Sequence, residues 1–212
     1  MNRKEHNRMM TIRTIEDTFM QLYKKKGLEK ITIHELCETA GISRTNLYRY
    51  YDDKYQILQT IEDRLLENIE EINKSDYFIN QLENDIEKKL PLLYKTVCYI
   101  DENRDYFATL LGRNGDPSFV FKWKSCMRKN LESKTAESKV FDYDLDVVVE
   151  IMVSSFIGIY TFWLIEKPEL SCESITKICG DILYGKNLQN INIKRKNDNT
   201  STAHYVTKDT PL

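Results

Sequence analysis

Arg44, Thr45, Asn46, Tyr48 and Arg49 stand close together in the chain, and each carries a group that suits nucleic acid. A guanidinium can fork onto guanine, an Asn amide onto adenine, and a Thr or Tyr hydroxyl can reach a phosphate. That chemistry is recognition, not bond-making. No GxSxG elbow, Gly-rich phosphate loop, HExxH or zinc-deaminase pattern occurs in the 212 residues. Histidine is confined to His6 and His204, in ends expected to be mobile, and His34, close to the recognition residues. Paired acids such as Asp52 with Asp53, or Glu70 with Glu71, are neighbours in sequence and point to different helix faces. The sequence therefore offers no catalytic residues, no cofactor and no metal site.

The flanking residues position the recognition group. Thr32 precedes Glu35 by three, a capping-box spacing, and Leu36, Cys37 and Ala40 follow on one face. Gly41 falls where a left-handed residue must end that helix, and Ser43 can cap the next. This is the spacing of a helix-turn-helix. In its second helix, expected over Ser43 to Tyr50, Leu47 and Tyr51 lie four apart and face inward, leaving the polar residues outside. Asp52 or Asp53 then caps a long helix. Lys54 at its positive end costs roughly 0.3 to 1 kcal/mol against the helix dipole, which a docked phosphate would reverse; a solvated lysine in a loose first turn is the plainer alternative.

Upstream, Ile12, Ile15, Phe19, Leu22 and Tyr23 recur at helical spacing and give way to Lys24, Lys25, Lys26 and Gly27, a cationic last turn and a stop. The lysine run reads as a solvated helix end, or as a direct aid to DNA binding. Downstream, Ile57, Leu58, Ile61, Leu65, Ile69 and Ile72 continue one stripe for about five turns, a helix that joins head to body. After a break at Lys74 to Asp76, Pro91 is placed in the first turn of a helix to Glu102. A short helix over Asn103 to Leu111 ends at Gly112, and Gly115, Asp116 and Pro117 open one that reaches about Ser133. Lys134 to Lys139 is a polar link. Tyr143 to Glu166 is the most apolar helix, halted by Pro168, and its apolar run is judged too short to span a bilayer. Ser171 caps a last helix that Gly185 ends.

The expected fold is all-α, with about nine helices: a head over residues 1–56, a helical bundle body over 57–186 and a polar, flexible tail over 187–212. Few Gly and Pro and 30% charged residues favour helix over sheet. Residues 1–60 carry 11 Lys and Arg against 8 Asp and Glu, the remainder 20 against 25, so a basic head sits on an acidic body. The five cysteines are scattered without ligand spacing, and no apolar leader precedes the first helix, so a reducing cytoplasm is expected.

These motifs together, AGIS at Ala40 to Ser43, LYRYY at Leu47 to Tyr51 and DDK at Asp52 to Lys54, resemble the TetR/AcrR family of bacterial transcriptional regulators. Thr45, Tyr51 and Tyr55 depart from the family's usual Gly or Ser, Phe and Glu without removing a DNA-contacting type. The resemblance implies a repressor that binds a palindromic operator on double-stranded DNA as a homodimer. Thr32, Ser43, Arg44, Thr45, Asn46, Tyr48, Arg49, Tyr50 and Lys54 would touch the duplex. FWLIEKPELS at Phe162 to Ser171 resembles the family's dimer-forming helix pair, which would present Val148, Ile151, Met152, Ser155, Ile159, Trp163, Ile175, Ile178 and Ile182 to a second copy. Alternatively, both helices fill a monomeric core. Tyr94, Tyr99, Tyr106, Phe107, Phe119, Trp123, Phe156 and Tyr160 are either core packing or, as the resemblance implies, the lining of a pocket for a small apolar or amphipathic effector. A competing reading is a helix-turn-helix protein that acts through a partner protein. No membrane partner is expected.

Overall fold

The first helix, α1, runs from Arg3 to Lys26 and starts well before the apolar periodicity does, because Asn2 and Glu5 close a reciprocal capping box at its N-terminus. His6, expected in a mobile end, instead sits on an exposed helical turn. The chain leaves α1 at Gly27, whose φ of 80° suits a residue without a Cβ. A 3-10 turn over Leu28–Lys30 leads to α2 (Ile33–Ala40), α3 (Arg44–Leu47) and the long α4 (Lys54–Ser75). The body consists of α5 (Ile86–Glu102), α6 (Arg104–Leu111), α7 (Pro117–Thr135), α8 (Leu145–Glu166) and α9 (Cys172–Leu183).

The structure is a computed structural model that describes residues 2–75, 86–135 and 144–183, and these residues form nine α-helices and no strand. Of the link expected over Lys134 to Lys139, Lys134 and Thr135 belong to α7, and its remainder and the tail expected from 187 lie outside the described residues. So does His204.

Two expectations need correction. Helix α5 begins at Ile86, so Pro91 lies in its second turn, where it forfeits one intrahelical bond. And α8 spans 22 residues, long enough by length and apolarity to cross a bilayer. One of its faces is nevertheless committed to the body: Val149, Val153, Phe156, Tyr160 and Trp163 are buried.

One continuous core joins head to body. Ile15 and Phe19 of α1, Leu36 of α2 and Leu47 of α3 pack with Ile57, Ile61, Leu65 and Ile69 of α4, and the same cluster continues through Val97, Phe107, Trp123 and Trp163. Burying such apolar surface is the main favourable term holding the fold. Within the body α9 packs most extensively on α5, and α7 on α8. Trp163 Nε1 donates to the Leu170 carbonyl at 2.9 Å, tying α8 to the turn that precedes α9.

Candidate nucleic-acid interface

The turn between α2 and α3 is fixed by local hydrogen bonds. The Glu35 amide donates to Thr32 Oγ1 at 3.2 Å and the Asn46 amide to Ser43 Oγ at 3.1 Å, so each helix has its side-chain cap. The capping box at Thr32 is only half formed, because the Glu35 carboxylate turns to the Lys26 ammonium. Between the helices Gly41 adopts φ 66° and ψ 31°, and open space where a Cβ would stand leaves the left-handed backbone as the reason for glycine. Helix α3 closes after a single turn; Tyr48, Arg49 and Tyr50 continue as a turn whose amides bond back to Arg44, Asn46 and Leu47. The expected helix to Tyr50 is thus shorter, though the chain stays wound in the same sense.

Leu47 at 0% exposure and Tyr51 at 4% anchor this segment in the core. Ser43, Arg44, Thr45, Tyr48 and Arg49 are exposed, while Asn46 and Tyr50 are half-buried. Thr32 and His34 are exposed on the neighbouring end of α2. The sequence-derived recognition group is therefore presented on one outer surface over a rigid floor. Neither Arg44 nor Arg49 makes an ion pair among the described residues.

Lys54 differs from expectation. Its ammonium donates to the carbonyls of Leu28, Glu29 and Ile31 at 2.9, 3.1 and 3.2 Å, which fills all three donor positions. The residue that stands against the dipole of α4 is held by the carbonyls around the 3-10 turn, so a phosphate is not needed to explain it. Asp53, not Asp52, caps α4: its Oδ1 accepts the Gln56 amide at 2.8 Å.

A buried polar network beneath the interface escaped the sequence reading. Glu16, at 1% exposure, accepts the Tyr51 hydroxyl at 2.7 Å and pairs with Arg64 of α4, while the Tyr106 hydroxyl of α6 donates to Asp17. Burial pushes the Tyr51 phenol well above its ordinary pKa, and the bond to Glu16 adds to that rise. The available signal was an acid at position 16, directly after Ile15 in the apolar stripe.

The residues expected at a dimer face divide. Trp163 and Ile175 are buried within their own chain, at 0% and 1% exposure, and cannot meet a second copy. Ile151 and Ile178 are exposed, and Val148, Met152, Ser155, Ile159 and Ile182 are half-buried. Val147, Phe162 and Ile165 are exposed too, and with Ile151, at helical spacing, they form an apolar stripe opposite the buried face of α8.

The aromatic residues of the body pack on one another. Phe107 touches Phe119 and Trp123 at ring separations of 6.0 and 5.0 Å, and Trp123 stacks on Tyr160 at 5.6 Å. Phe156 stacks on Tyr160, and Tyr99 meets Phe107 edge-on. Tyr94 stands apart, exposed on α5, and donates to Glu173 at 3.0 Å. Five of the expected pocket residues, Phe107, Phe119, Trp123, Phe156 and Tyr160, are therefore core, and a ligand among them would have to part the rings.

Two family profiles match the chain: one described as bacterial regulatory proteins, tetR family, over residues 17–61, and one described as transcriptional regulator C-terminal region, over residues 87–185. An uncharacterized HTH-type transcriptional regulator of Bacillus subtilis, YxbF, is 24% identical over 174 residues, covering 81% of this chain but only 44% of that protein. The HTH-type dhaKLM operon transcriptional activator DhaS of Lactococcus lactis is 25% identical over 141 residues, 65% of this chain and 70% of its own length. Among solved structures, Thermus thermophilus FadR, a repressor in complex with lauroyl-CoA, superposes with a TM-score of 0.53 at 17% identity, covering 84% of this chain and 95% of that one.

Proposed function

Since the chain belongs to the TetR/AcrR family of DNA-binding transcriptional regulators, we propose that it is a cytoplasmic repressor that binds a palindromic operator as a homodimer. Its family and structural neighbours are regulators, not enzymes. The observation that carries the reading is the outward presentation of Arg44, Thr45, Tyr48 and Arg49 above buried Leu47 and Tyr51. In the reading, Arg44, Thr45 and Asn46 face base edges, while Thr32, Ser43, Tyr48, Arg49 and Tyr50 hold phosphates. Lys54 is left out of the phosphate set because its protons already have acceptors.

The exposed stripe Val147, Ile151, Phe162 and Ile165, with Ile178 on α9, supports a two-fold partner, since an apolar strip of that length is uncommon on a lone chain. Two heads then sit one or more helical turns apart on DNA, each turn about 34 to 36 Å. A small apolar or amphipathic effector would enter by parting the aromatic rings of α6, α7 and α8. Because Lys122 of α7 pairs with Glu62 of α4 at 2.7 Å, movement of α7 would tilt α4 and change the head spacing.

Selecting bound duplexes from random DNA with the purified full chain tests the reading. A palindromic, salt-sensitive site supports it; a lone chain with no affinity for any duplex at low salt removes it. The activator named among the relatives supports a second reading, in which the bound dimer raises transcription. A reporter behind the selected site, with and without the protein, gives the sign.

A further inference from the structure

The early start of α1 creates a surface that the recognition residues do not account for. Lys4, Asn7, Arg8 and Thr11 share one face of the first three turns, and that face forms one side of an open groove whose other side is Tyr50. Tyr50 is also the last residue of the polar surface that begins at Ser43, so the groove adjoins that surface. A DNA strand that runs along Ser43 to Tyr50 and on past Tyr50 would pass this groove.

The charge of the groove is unbalanced. Arg3, Lys4 and Arg8 are exposed, and among the described residues none of them makes an ion pair. The nearby acid, Glu5, is turned toward the Asn2 amide, which donates to it at 3.4 Å in the capping box. Unpaired cations continuous with a DNA-binding surface suit phosphates, and lysine and arginine that are not aimed at base edges contribute affinity without sequence preference.

We propose that the first two turns of α1 form a second DNA contact, in which Lys4 and Arg8, with the Tyr50 hydroxyl, clamp backbone phosphates just outside the base pairs read by α3. The inference rests on the DNA-binding reading above. It lengthens the footprint of each head and adds affinity that depends on flanking DNA of any sequence.

The test uses the full-length protein and the duplex recovered by selection from random DNA, in a long form and in a form trimmed at both ends of the palindrome. Binding is followed by fluorescence anisotropy across salt. Each neutralised phosphate adds about 0.9 to the slope of log affinity against log salt. Lys4→Ala with Arg8→Ala should therefore lower the slope on the long duplex by about 1.8 per head, and between roughly 50 and 200 mM salt the wild type should lose about twelvefold more affinity per head than the variant, about 150-fold for the dimer with both heads bound. Trimming should abolish the difference, Arg8→Lys should restore much of the slope, and Arg8→Glu should weaken binding further than Arg8→Ala. All the substituted side chains are exposed, and an unchanged thermal melt confirms an intact fold. Wild-type slope and affinity for the double variant on the long duplex would overturn the clamp while leaving the regulator reading intact. A wild type that binds no duplex overturns both.

Discussion

The Tyr51 hydroxyl donates to Glu16 at 2.7 Å, linking the end of the recognition segment to a buried carboxylate of α1. Glu16 is also paired with Arg64, so a single acid ties three parts of the molecule together: the base of the helix-turn-helix, α1 and the long helix α4. Both Tyr51 and Glu16 are nearly inaccessible, at 4% and 1%. A phenylalanine at 51 would keep the packing but leave one carboxylate oxygen short of a donor, and the cost of that loss sets the first expectation.

Tyr51→Phe should destabilise the protein by about 1.5 to 3 kcal/mol, the range for a hydrogen bond to a charged group. Urea denaturation measures it. Since no phosphate contact is removed, the salt dependence of DNA binding should stay as in the wild type; a stability change below about 0.5 kcal/mol would show that the bond contributes little.

Lys54→Ala should lower stability by about 1 to 2 kcal/mol, less than a fully buried charged bond because the side chain is half-exposed, through loss of its three carbonyl partners. Salt titration of DNA binding by the folded variant should retain the wild-type slope. A slope lower by about 0.9 per head would instead assign the ammonium to a phosphate.

Arg44→Ala and Asn46→Ala should each cost about 1 to 3 kcal/mol on the selected site and relax preference at one base position per half-site, whereas Arg49→Ala should weaken all duplexes alike and reduce the salt slope by about 0.9 per head. Repeating the selection with each variant separates the two outcomes. Equal losses for Asn46→Ala on selected and random DNA would remove its base-reading role.

Ile151→Asp and Trp163→Ala separate association from folding. Ile151 is 61% exposed, so a charge there should leave the fold intact and dissociate the proposed dimer, seen as halved mass in sedimentation. Trp163 is fully buried and its indole bonds to Leu170, so truncation should cost about 3 to 5 kcal/mol of stability. An Ile151→Asp protein that sediments like the wild type would place the interface elsewhere.

Glu62 predicts a pH dependence. Its carboxyl is held above its ordinary 4.5, because burial costs the charged form more than the pairing with Lys122 returns. A raised carboxyl favours the protonated folded state, so its contribution to stability is fully present below the unfolded pKa and is lost as pH rises through the elevated folded value. Glu62→Gln, which cannot ionise, keeps its contribution. The stability of Glu62→Gln relative to wild type should therefore increase from about pH 4 toward neutrality. Thermal melts across that interval measure it, and a flat difference would contradict the assignment.

The local architecture is legible from residues a few positions apart. Caps at Thr32 and Ser43, the left-handed Gly41 and the Leu47 and Tyr51 anchors depend on neighbours within a few residues, and short-range hydrogen bonds and helical periodicity settle them. The all-helical class and the order of elements were legible for the same reason, as was the outer position of Arg44, Thr45, Tyr48 and Arg49. Which partners meet across the chain, by contrast, is settled by long-range packing. Lys54 bonds carbonyls 23 to 26 residues back, Glu16 meets Tyr51 and Arg64, and Trp163 turns inward while Ile151 stays outside. Helix α8 is apolar on both faces, so periodicity alone could not say which face the body would take. That choice belongs to packing, where the burial of one face depends on the volumes presented by α6, α7 and α9.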